Sequence, residues 1–248
     1  MPERDAAELL RDAERVVVFT GAGMSAESGV PTFREALTGL WSRFDAKALA
    51  TPEAFEADPA LVWGWYEWRR ALVQRVRPHA GHEAVAAIEA QVPQSVVITQ
   101  NVDDLHERAG SRSLIHLHGS LFAPRCAACG SSAALPPLPE KSDRVAPPRC
   151  DDCDGPIRPG VVWFGEDLPS GELSAATEAA FGCDLLFSVG TSGLVYPAAE
   201  IPYVAARSGA TVVQINPEPT TLDAVADINL RGKAAEILPD LVRKAWPR

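Results

Sequence analysis

The fold class of this chain is decided by the stretch Thr20-Gly21-Ala22-Gly23-Met24-Ser25-Ala26-Glu27-Ser28-Gly29-Val30-Pro31-Thr32-Phe33-Arg34. It follows Val16-Val17-Val18-Phe19, an apolar run typical of a buried parallel strand. Glycines after such a strand let a pyrophosphate approach the backbone, and the helix start beyond them offers N–H groups. Ala26 stands where the dinucleotide fingerprint has its third glycine, and that fingerprint tolerates alanine. The stretch therefore predicts a turn that binds a dinucleotide.

Strands and helices alternate over the rest of the chain. Apolar runs predict further strands at 96–99, from Leu114, and at 185–189, 211–215 and 227–230. Such alternation is typical of an α/β protein with a doubly wound parallel sheet. Polar clusters directly follow five of the strands, at residues 21–25, 100–103, 118–120, 190–192 and 216–218. Because ligands of open α/β sheets bind outside the carboxyl ends of the strands, we expect these clusters to form one crevice.

Composition narrows the classes of partner. The chain has 248 residues, with 23 Lys and Arg against 33 Asp and Glu, a formal net charge of −10. This charge argues against nucleic acid and anionic membranes, and it favours cationic partners such as lysine-rich proteins. No apolar run approaches the ~20 residues of a membrane span, and the acidic start is unlike a targeting segment. We expect a cytoplasmic monomer that binds neither membrane nor nucleic acid.

Four of the five cysteines form the pattern Cys126-x2-Cys129-x20-Cys150-x2-Cys153. Two such knuckles supply four thiolates, which suits a closed tetrahedral zinc site with no open position for catalysis. A redox pair and a nucleic-acid-binding ribbon are the alternatives, and acidic neighbours such as Asp151 argue against the ribbon. The spacing predicts structural Zn²⁺, and Cys183 is interpreted as a buried small apolar residue.

Candidate catalytic groups lie in two of the polar clusters. Gln100, Asn101 and Asp103 could hold a carboxamide and ribose hydroxyls, or could form a turn with a helix cap. His118 in a crevice would be a general base with a pKa near neutrality. Composition alone does not separate it from His116, two residues earlier.

The helical stretch at 40–77 is rich in aromatic residues, which we interpret as a packed helical core. Tyr66 and Arg69 share one face of a predicted helix. They could bind a carboxylate through a guanidinium and a hydroxyl. The pattern alone favours an exposed arginine beside a core aromatic. Asn216 and Glu218, after a late strand, suit either ribose hydroxyls or a helix N-cap.

In order along the chain, these motifs resemble those of the sirtuins, NAD-dependent protein lysine deacylases. The resemblance spans almost the whole chain and is carried by residues 21–34, 99–103, 118–120, the four cysteines, 164–166, 190–192 and 215–216. It implies a Rossmann-like large domain at 1–34, 79–122 and 158–248. It also implies a small domain made of a helical insert at 35–78 and a zinc module at 123–157. The acyl-lysine would enter between the two domains.

Within the family the chain resembles the class III branch, bacterial type. Thr32, the segment Leu49–Pro52 and Tyr66-x-x-Arg69 carry this resemblance. It implies that Tyr66 and Arg69 recognise the distal carboxylate of succinyl- or malonyl-lysine, for which Ala50 leaves room. We expect deacetylation as well.

The resemblance also implies roles in the crevice. NAD is consumed there as a co-substrate, bound by Gly21, Ala22, Gly23, Ala26, Glu27, Phe33, Arg34, Gln100, Asn101, Asp103, Gly190, Thr191, Ser192, Asn216, Glu218 and Lys233. Asn101 and His118 are implied to be catalytic, His118 as the base on a ribose hydroxyl after an alkylimidate forms and nicotinamide leaves. The substrate peptide pairs as an added strand with a segment that includes Val161, Trp163, Phe164, Gly165 and Glu166. The products are nicotinamide, O-acyl-ADP-ribose and free lysine.

Two other functions could use the same features. A mono-ADP-ribosyltransferase would pass ADP-ribose from NAD to a protein, and an NAD-sensing or zinc-dependent interaction module would catalyse nothing. Asn101, Asp103 and His118 argue against the module. Tyr66 and Arg69 favour deacylation over ADP-ribosyl transfer.

Overall fold

A computed structural model describes residues 2–32, 45–139 and 144–247. The strands are β1 Arg15–Thr20, β2 Gln94–Thr99, β3 Leu114–His116, β4 Gly119–Cys126, β5 Ile157–Val161, β6 Leu185–Val189, β7 Thr211–Ile215 and β8 Ile228–Leu230. The helices are α1 Pro2–Asp12, α2 Ala22–Ala26, α3 Ala46–Leu49, α4 Pro52–Ala57, α5 Pro59–Arg75, α6 Ala80–Gln91, α7 Leu105–Ala109, α8 Ser170–Gly182, α9 Ile201–Arg207 and α10 Ala234–Ala245. Within these ranges no helix is both long and apolar enough to cross a bilayer.

Six strands form one parallel sheet in the order β3-β2-β1-β6-β7-β8. Helices α1, α6 and α10 pack on one face, and α8 and α9 cover the other. Apolar side chains of β1 alternate between the two layers, with Val16 and Val18 in one core and Val17 and Phe19 in the other. The expected doubly wound, Rossmann-like sheet is therefore confirmed. Its strand order reverses between β1 and β6, where open sheets bind ligands.

A smaller unit adjoins the sheet. Strands β4 and β5 pair antiparallel and flank the cysteine knuckles, while α3, α4 and α5 contribute a second apolar cluster. Strand β4 was not expected from the sequence, where the polar residues after β3 suggested that the strand had ended. The aromatic residues of α5 are packed core as predicted, since Trp63, Trp65 and Tyr66 are all buried.

Candidate functional site

The turns after β1 and β6 pack against each other at the point where the strand order reverses. Gly21 N–H donates to the Val189 carbonyl (3.0 Å) and Gly23 N–H to the Gly190 carbonyl (2.8 Å). A Cβ on Gly23 would lie 2.8 Å from the Gly190 Cα, and Gly190 itself has a φ of +61°. The predicted phosphate glycines thus also have a packing role, because any side chain there would separate the two turns.

The polar clusters after the strands are connected by hydrogen bonds. The Gln100 side chain donates to the Thr191 hydroxyl (3.0 Å), and the Asn216 side chain donates to the Thr191 carbonyl (2.8 Å). The Asn101 side chain donates to the Gly21 carbonyl (3.0 Å), and His118 contacts the Gln100 carbonyl. Residues nearly 200 positions apart therefore form one continuous edge, as the strand-end pattern predicts.

Ser25 joins Asn101 to Asp103. Asn101 Nδ2 donates to Ser25 Oγ (3.0 Å), which donates to Asp103 Oδ2 (2.8 Å), while Leu105 N–H donates to Asp103 Oδ1 (3.2 Å). Burial raises the pKa of Asp103, and the donors from Ser25 and Leu105 oppose this rise. Ser25 belongs to the polar cluster at 21–25 that the sequence predicts for the crevice, but the sequence gives it no role of its own. Its signal was a polar residue among the small residues of the turn, which a helix start alone would also explain.

His118 is a neutral imidazole with one nitrogen anchored. Its Nδ1 lies 2.9 Å from the Gln100 carbonyl oxygen, and since a carbonyl can only accept, Nδ1 carries the proton. Burial lowers the pKa of His118, with the carbonyl partly opposing this shift. Nε2 is then a free base, with no hydrogen-bond partner among the described residues. His116 differs, because its Nε2 contacts the Glu107 carboxylate at 2.7 Å.

Several predicted cofactor residues lie at the periphery of this edge. Glu27 accepts a hydrogen bond from Ala235 N–H (3.2 Å), so its carboxylate caps the start of α10. Lys233 is the exposed N-cap residue of that helix, and Glu218 is exposed beyond β7. Ala22 and Ala26 lie on α2, and Ser192 follows Thr191 in the turn after β6. Phe33 and Arg34 lie outside the described residues.

A buried histidine cluster supports the back of the β1 turn. The rings of His79 and His82 are 4.2 Å apart, and those of His82 and His106 are 5.0 Å apart. His79 Nε2 donates to the Met24 carbonyl (2.7 Å), and His106 Nε2 lies 3.2 Å from the Thr20 hydroxyl. Burial lowers the pKa of His82 to about 2 and that of His106 to about 4. Both residues are therefore neutral in the folded protein near pH 7.

This cluster predicts acid sensitivity of the fold. The unfolded chain binds protons at His82 and His106 below about pH 6.5, whereas the folded protein does not until lower pH, so stability falls as pH falls. We expect the two residues together to remove about 3 kcal/mol of unfolding free energy between pH 6.5 and pH 5. Urea titrations across this range measure the slope. His82→Asn should reduce the slope by about 1.4 kcal/mol per pH unit, and an unchanged slope would contradict the assignment.

The predicted acyl-recognition residues lie on α5. The Tyr66 hydroxyl accepts a hydrogen bond from Trp163 Nε1 (3.0 Å), and burial raises the pKa of Tyr66 to about 12, so its own proton remains available to donate. The Arg69 guanidinium lies 5.1 Å from the centre of the Trp65 ring. Arg69 also borders a cavity whose lining, among the described residues, is Val30, Pro31, Thr32, Ala46, Trp68, Arg69, Leu72 and Val73. The predicted Ala50 is buried at the C-terminal end of α3, which begins at Ala46.

Backbone hydrogen bonds fix the segment after β5 both to the residues before β4 and to the end of α3. Val162 N–H donates to the His118 carbonyl, and Phe164 N–H donates to the Ala50 carbonyl, both at 2.9 Å. The Glu166 carboxylate binds the Arg158 guanidinium (2.5 and 2.8 Å) and Trp163 N–H (2.8 Å). The Glu166 side chain therefore shapes the loop, and Phe164 is exposed, whereas Val161 and Trp163 are buried.

The four knuckle cysteines form a compact set of sulfur atoms. All four Sγ atoms lie within 4.8 Å of one another, with Cys126 and Cys153 at 3.5 Å and Cys129 and Cys150 at 3.7 Å. Tetrahedral zinc with Zn–S bonds of ~2.3 Å requires about 3.8 Å between sulfurs. Backbone N–H groups of Ala128 and Cys129 point at Cys126 Sγ (3.3 and 3.5 Å), which stabilises a thiolate. The donor set fits a structural zinc ion.

The parallel sheet with two interlocked glycine turns at its crossover defines a dinucleotide-binding α/β protein. Residues 21–197 match the model of the Sir2 family. A similar relative is the NAD-dependent protein deacylase of Methylococcus capsulatus, 59% identical over 238 residues, 94% of this chain and 93% of that protein. The chain belongs to the Sir2 family, the sirtuins.

Solved structures agree with this assignment. The crystal structure of a Sir2 homologue–NAD complex is 45% identical with a TM-score of 0.90, covering 97% of this chain and 93% of the other. A Sir2 protein bound to a myristoylated histone peptide is 36% identical with a TM-score of 0.80, covering 98% and 96%.

Proposed function

We propose that this chain is an NAD-dependent protein lysine deacylase of the class III sirtuin type. It removes acetyl, succinyl and malonyl groups from protein lysines and yields nicotinamide, O-acyl-ADP-ribose and free lysine. The observation that carries the proposal is the hydrogen-bonded edge of strand ends around His118, whose Nε2 is a free base. The relative named as a protein deacylase and the homologue bound to NAD support the same reaction.

His118 acts as the general base in this proposal. Nε2 takes the proton of an NAD ribose hydroxyl, which then attacks the activated acyl group. The Gln100 carbonyl holds the ring through Nδ1 and partly stabilises the imidazolium that forms. Asn101 and Asp103 bind the nicotinamide end of NAD, and Ser25 fixes both side chains. Gly190, Thr191, Ser192, Asn216, Glu218 and Lys233 bind the adenosine end.

The cavity beside α5 receives the acyl group. The described part of its lining is mostly apolar and includes the Arg69 guanidinium, which suits a short aliphatic chain that ends in a carboxylate. Arginine stays charged in proteins, so Arg69 supplies the cation even though burial lowers its pKa. Tyr66 keeps its proton and adds a hydroxyl donor.

Replacing Arg69 with methionine should change the acyl preference. We expect desuccinylation to fall by about 10- to 100-fold, because the buried carboxylate loses a charge-assisted hydrogen bond, while deacetylation changes little. The ratio of kcat/KM for matched succinyl and acetyl peptides measures this effect. Arg75→Met, at the exposed end of the same helix, is the control and should leave the ratio unchanged. Equal losses on both peptides would remove Arg69 from acyl recognition.

Acyl-lysine proteins are the proposed partners. The net charge of −10 favours cationic substrates, and a histone peptide occupies a related structure. We further propose a cytoplasmic monomer without membrane or nucleic-acid partners. The proposed NAD-binding domain spans 1–34, 79–122 and 158–248, and the small domain spans 35–78 and 123–157. Phe33 and Arg34 are proposed to cover the nicotinamide ribose.

The direct test uses purified protein with acetyl- and succinyl-lysine peptides of one sequence. Mass spectrometry should show deacylated peptide only when NAD is present. Intact acyl-peptide together with ADP-ribosylated protein would instead support a mono-ADP-ribosyltransferase. Binding of NAD with no product would support a sensing module.

A further inference from the structure

Helix α5 presents neighbouring faces to two different parts of the molecule. Trp63, Glu67 and Arg70, at helical spacing, lie toward the zinc module, and Trp63 packs with Cys126 and Cys150. A rotation of α5 about its axis would therefore have to displace these contacts.

The adjoining face carries the acyl-recognition pair. Tyr66 and Arg69 are the sequence neighbours of Glu67 and Arg70, and Tyr66 is bonded to Trp163 beside the substrate segment. Because both faces belong to one rigid helix of 17 residues, their orientations change together. A change of about 1 Å at a positioning contact is enough to alter a reaction rate substantially.

Glu67 and Arg70 form a buried ion pair that faces the zinc module. Their side chains are 5% and 3% exposed. Arg70 Nε donates to Glu67 Oε1 (3.2 Å), and Arg70 Nη2 donates both to Glu67 and to the Pro136 carbonyl (2.8 Å). Burial raises the pKa of Glu67, with Arg70 opposing that rise. A buried pair of this kind contributes little net stability compared with apolar packing, but it fixes geometry through directional bonds.

We propose that the Glu67–Arg70 pair is a positioning device for acyl recognition. By bonding α5 to Pro136 of the zinc module, it holds Tyr66 and Arg69 in the orientation that binds the distal carboxylate of the acyl group. The zinc module thereby contributes to acyl selectivity as well as to stability. This inference rests on the proposed deacylase function and on Arg69 as the carboxylate ligand.

Arg70→Met tests the proposal in the full-length, zinc-loaded protein. We expect the desuccinylation-to-deacetylation ratio of kcat/KM to fall about tenfold, through a higher KM for the succinyl peptide, with deacetylation within about twofold of wild type. Arg144→Met is the matched control. It breaks the exposed pair with Asp58, which also joins the zinc module to α5, and should leave the ratio unchanged.

The double variant Glu67→Leu/Arg70→Met separates positioning from stability. It removes both charges, so thermal stability should recover relative to Arg70→Met, whereas the ratio should stay low because the bond to Pro136 is still absent. A ratio that recovers together with stability would overturn the proposal, as would parallel losses on both peptides. If Arg70→Met does not fold, the double variant, which carries no unpaired buried charge, takes its place, and an unchanged ratio in that folded protein overturns the proposal as well.

Failure of the proposed deacylase function would give different experimental results. If wild type shows no NAD-dependent deacylation, the proposed function is wrong before any variant is made. If wild type is active but Arg69→Met leaves the ratio unchanged, the carboxylate assignment fails. A failure confined to the Arg70 and Glu67 variants overturns the positioning device alone.

Discussion

Replacing His118 with asparagine should abolish deacylation while the protein still folds and binds NAD. Asparagine keeps a side-chain N–H for the Gln100 carbonyl but has no basic nitrogen corresponding to Nε2. A positioned general base contributes about 10²- to 10⁴-fold to the rate, so we expect kcat to fall by that order. Single-turnover deacetylation followed by mass spectrometry measures the loss.

Two controls make this result specific. His116→Gln changes the neighbouring histidine but keeps a donor for Glu107, and it should retain most of the activity. Calorimetric titration with NAD should give similar affinities for wild type and His118→Asn. Turnover by His118→Asn near the wild-type rate would show that another group takes the proton.

Loss of zinc should have the second large effect, on stability rather than on chemistry. Structural zinc supplies about 10–16 kcal/mol of apparent binding free energy in small zinc-finger peptides. Here Cys126 and Cys150 also form the apolar cluster with Trp63 and Ile157, so removing the metal loosens the packing against α5. We expect Cys126→Ser to lose zinc and to have a lower melting temperature, with increased proteolysis in the zinc module.

Cys183→Ser is the matched control for this prediction. Cys183 is buried in the main sheet core and donates to the Ala180 carbonyl, away from the knuckles. Elemental analysis of the Cys183→Ser protein should show one equivalent of zinc per chain. A Cys126→Ser protein that keeps its zinc and its melting temperature would contradict the structural role.

The strand ends were predictable because they depend on local signals. Apolar runs followed by glycine, amide or hydroxyl residues mark the carboxyl ends of β1, β2, β6 and β7, and a parallel sheet brings such ends together. The spacing of the cysteine knuckles likewise predicts the zinc site. The compactness of the four sulfur atoms agrees with that interpretation.

The remaining features depend on contacts between distant residues. In the sequence, Ser25 is only a small residue in a turn. The fold brings Asn101 and Asp103, which follow β2, within hydrogen-bonding distance of it. The place of Glu27 in the turn predicts a cofactor contact, and only the fold shows that its carboxylate also accepts a hydrogen bond from α10, 208 residues later in the chain. The Glu67–Arg70 pair resembles an ordinary surface helix pair in sequence, and only the structure shows that it is buried and that Arg70 bonds to the Pro136 carbonyl.

The most direct test of the account is the fate of the acyl group. Wild-type protein is incubated with NAD and a succinyl-lysine peptide, and the small-molecule products are identified by mass spectrometry. The account predicts nicotinamide, O-succinyl-ADP-ribose and unmodified peptide in equal molar amounts. Free succinate released without consumption of NAD, or ADP-ribose attached to protein while the peptide keeps its succinyl group, would contradict it.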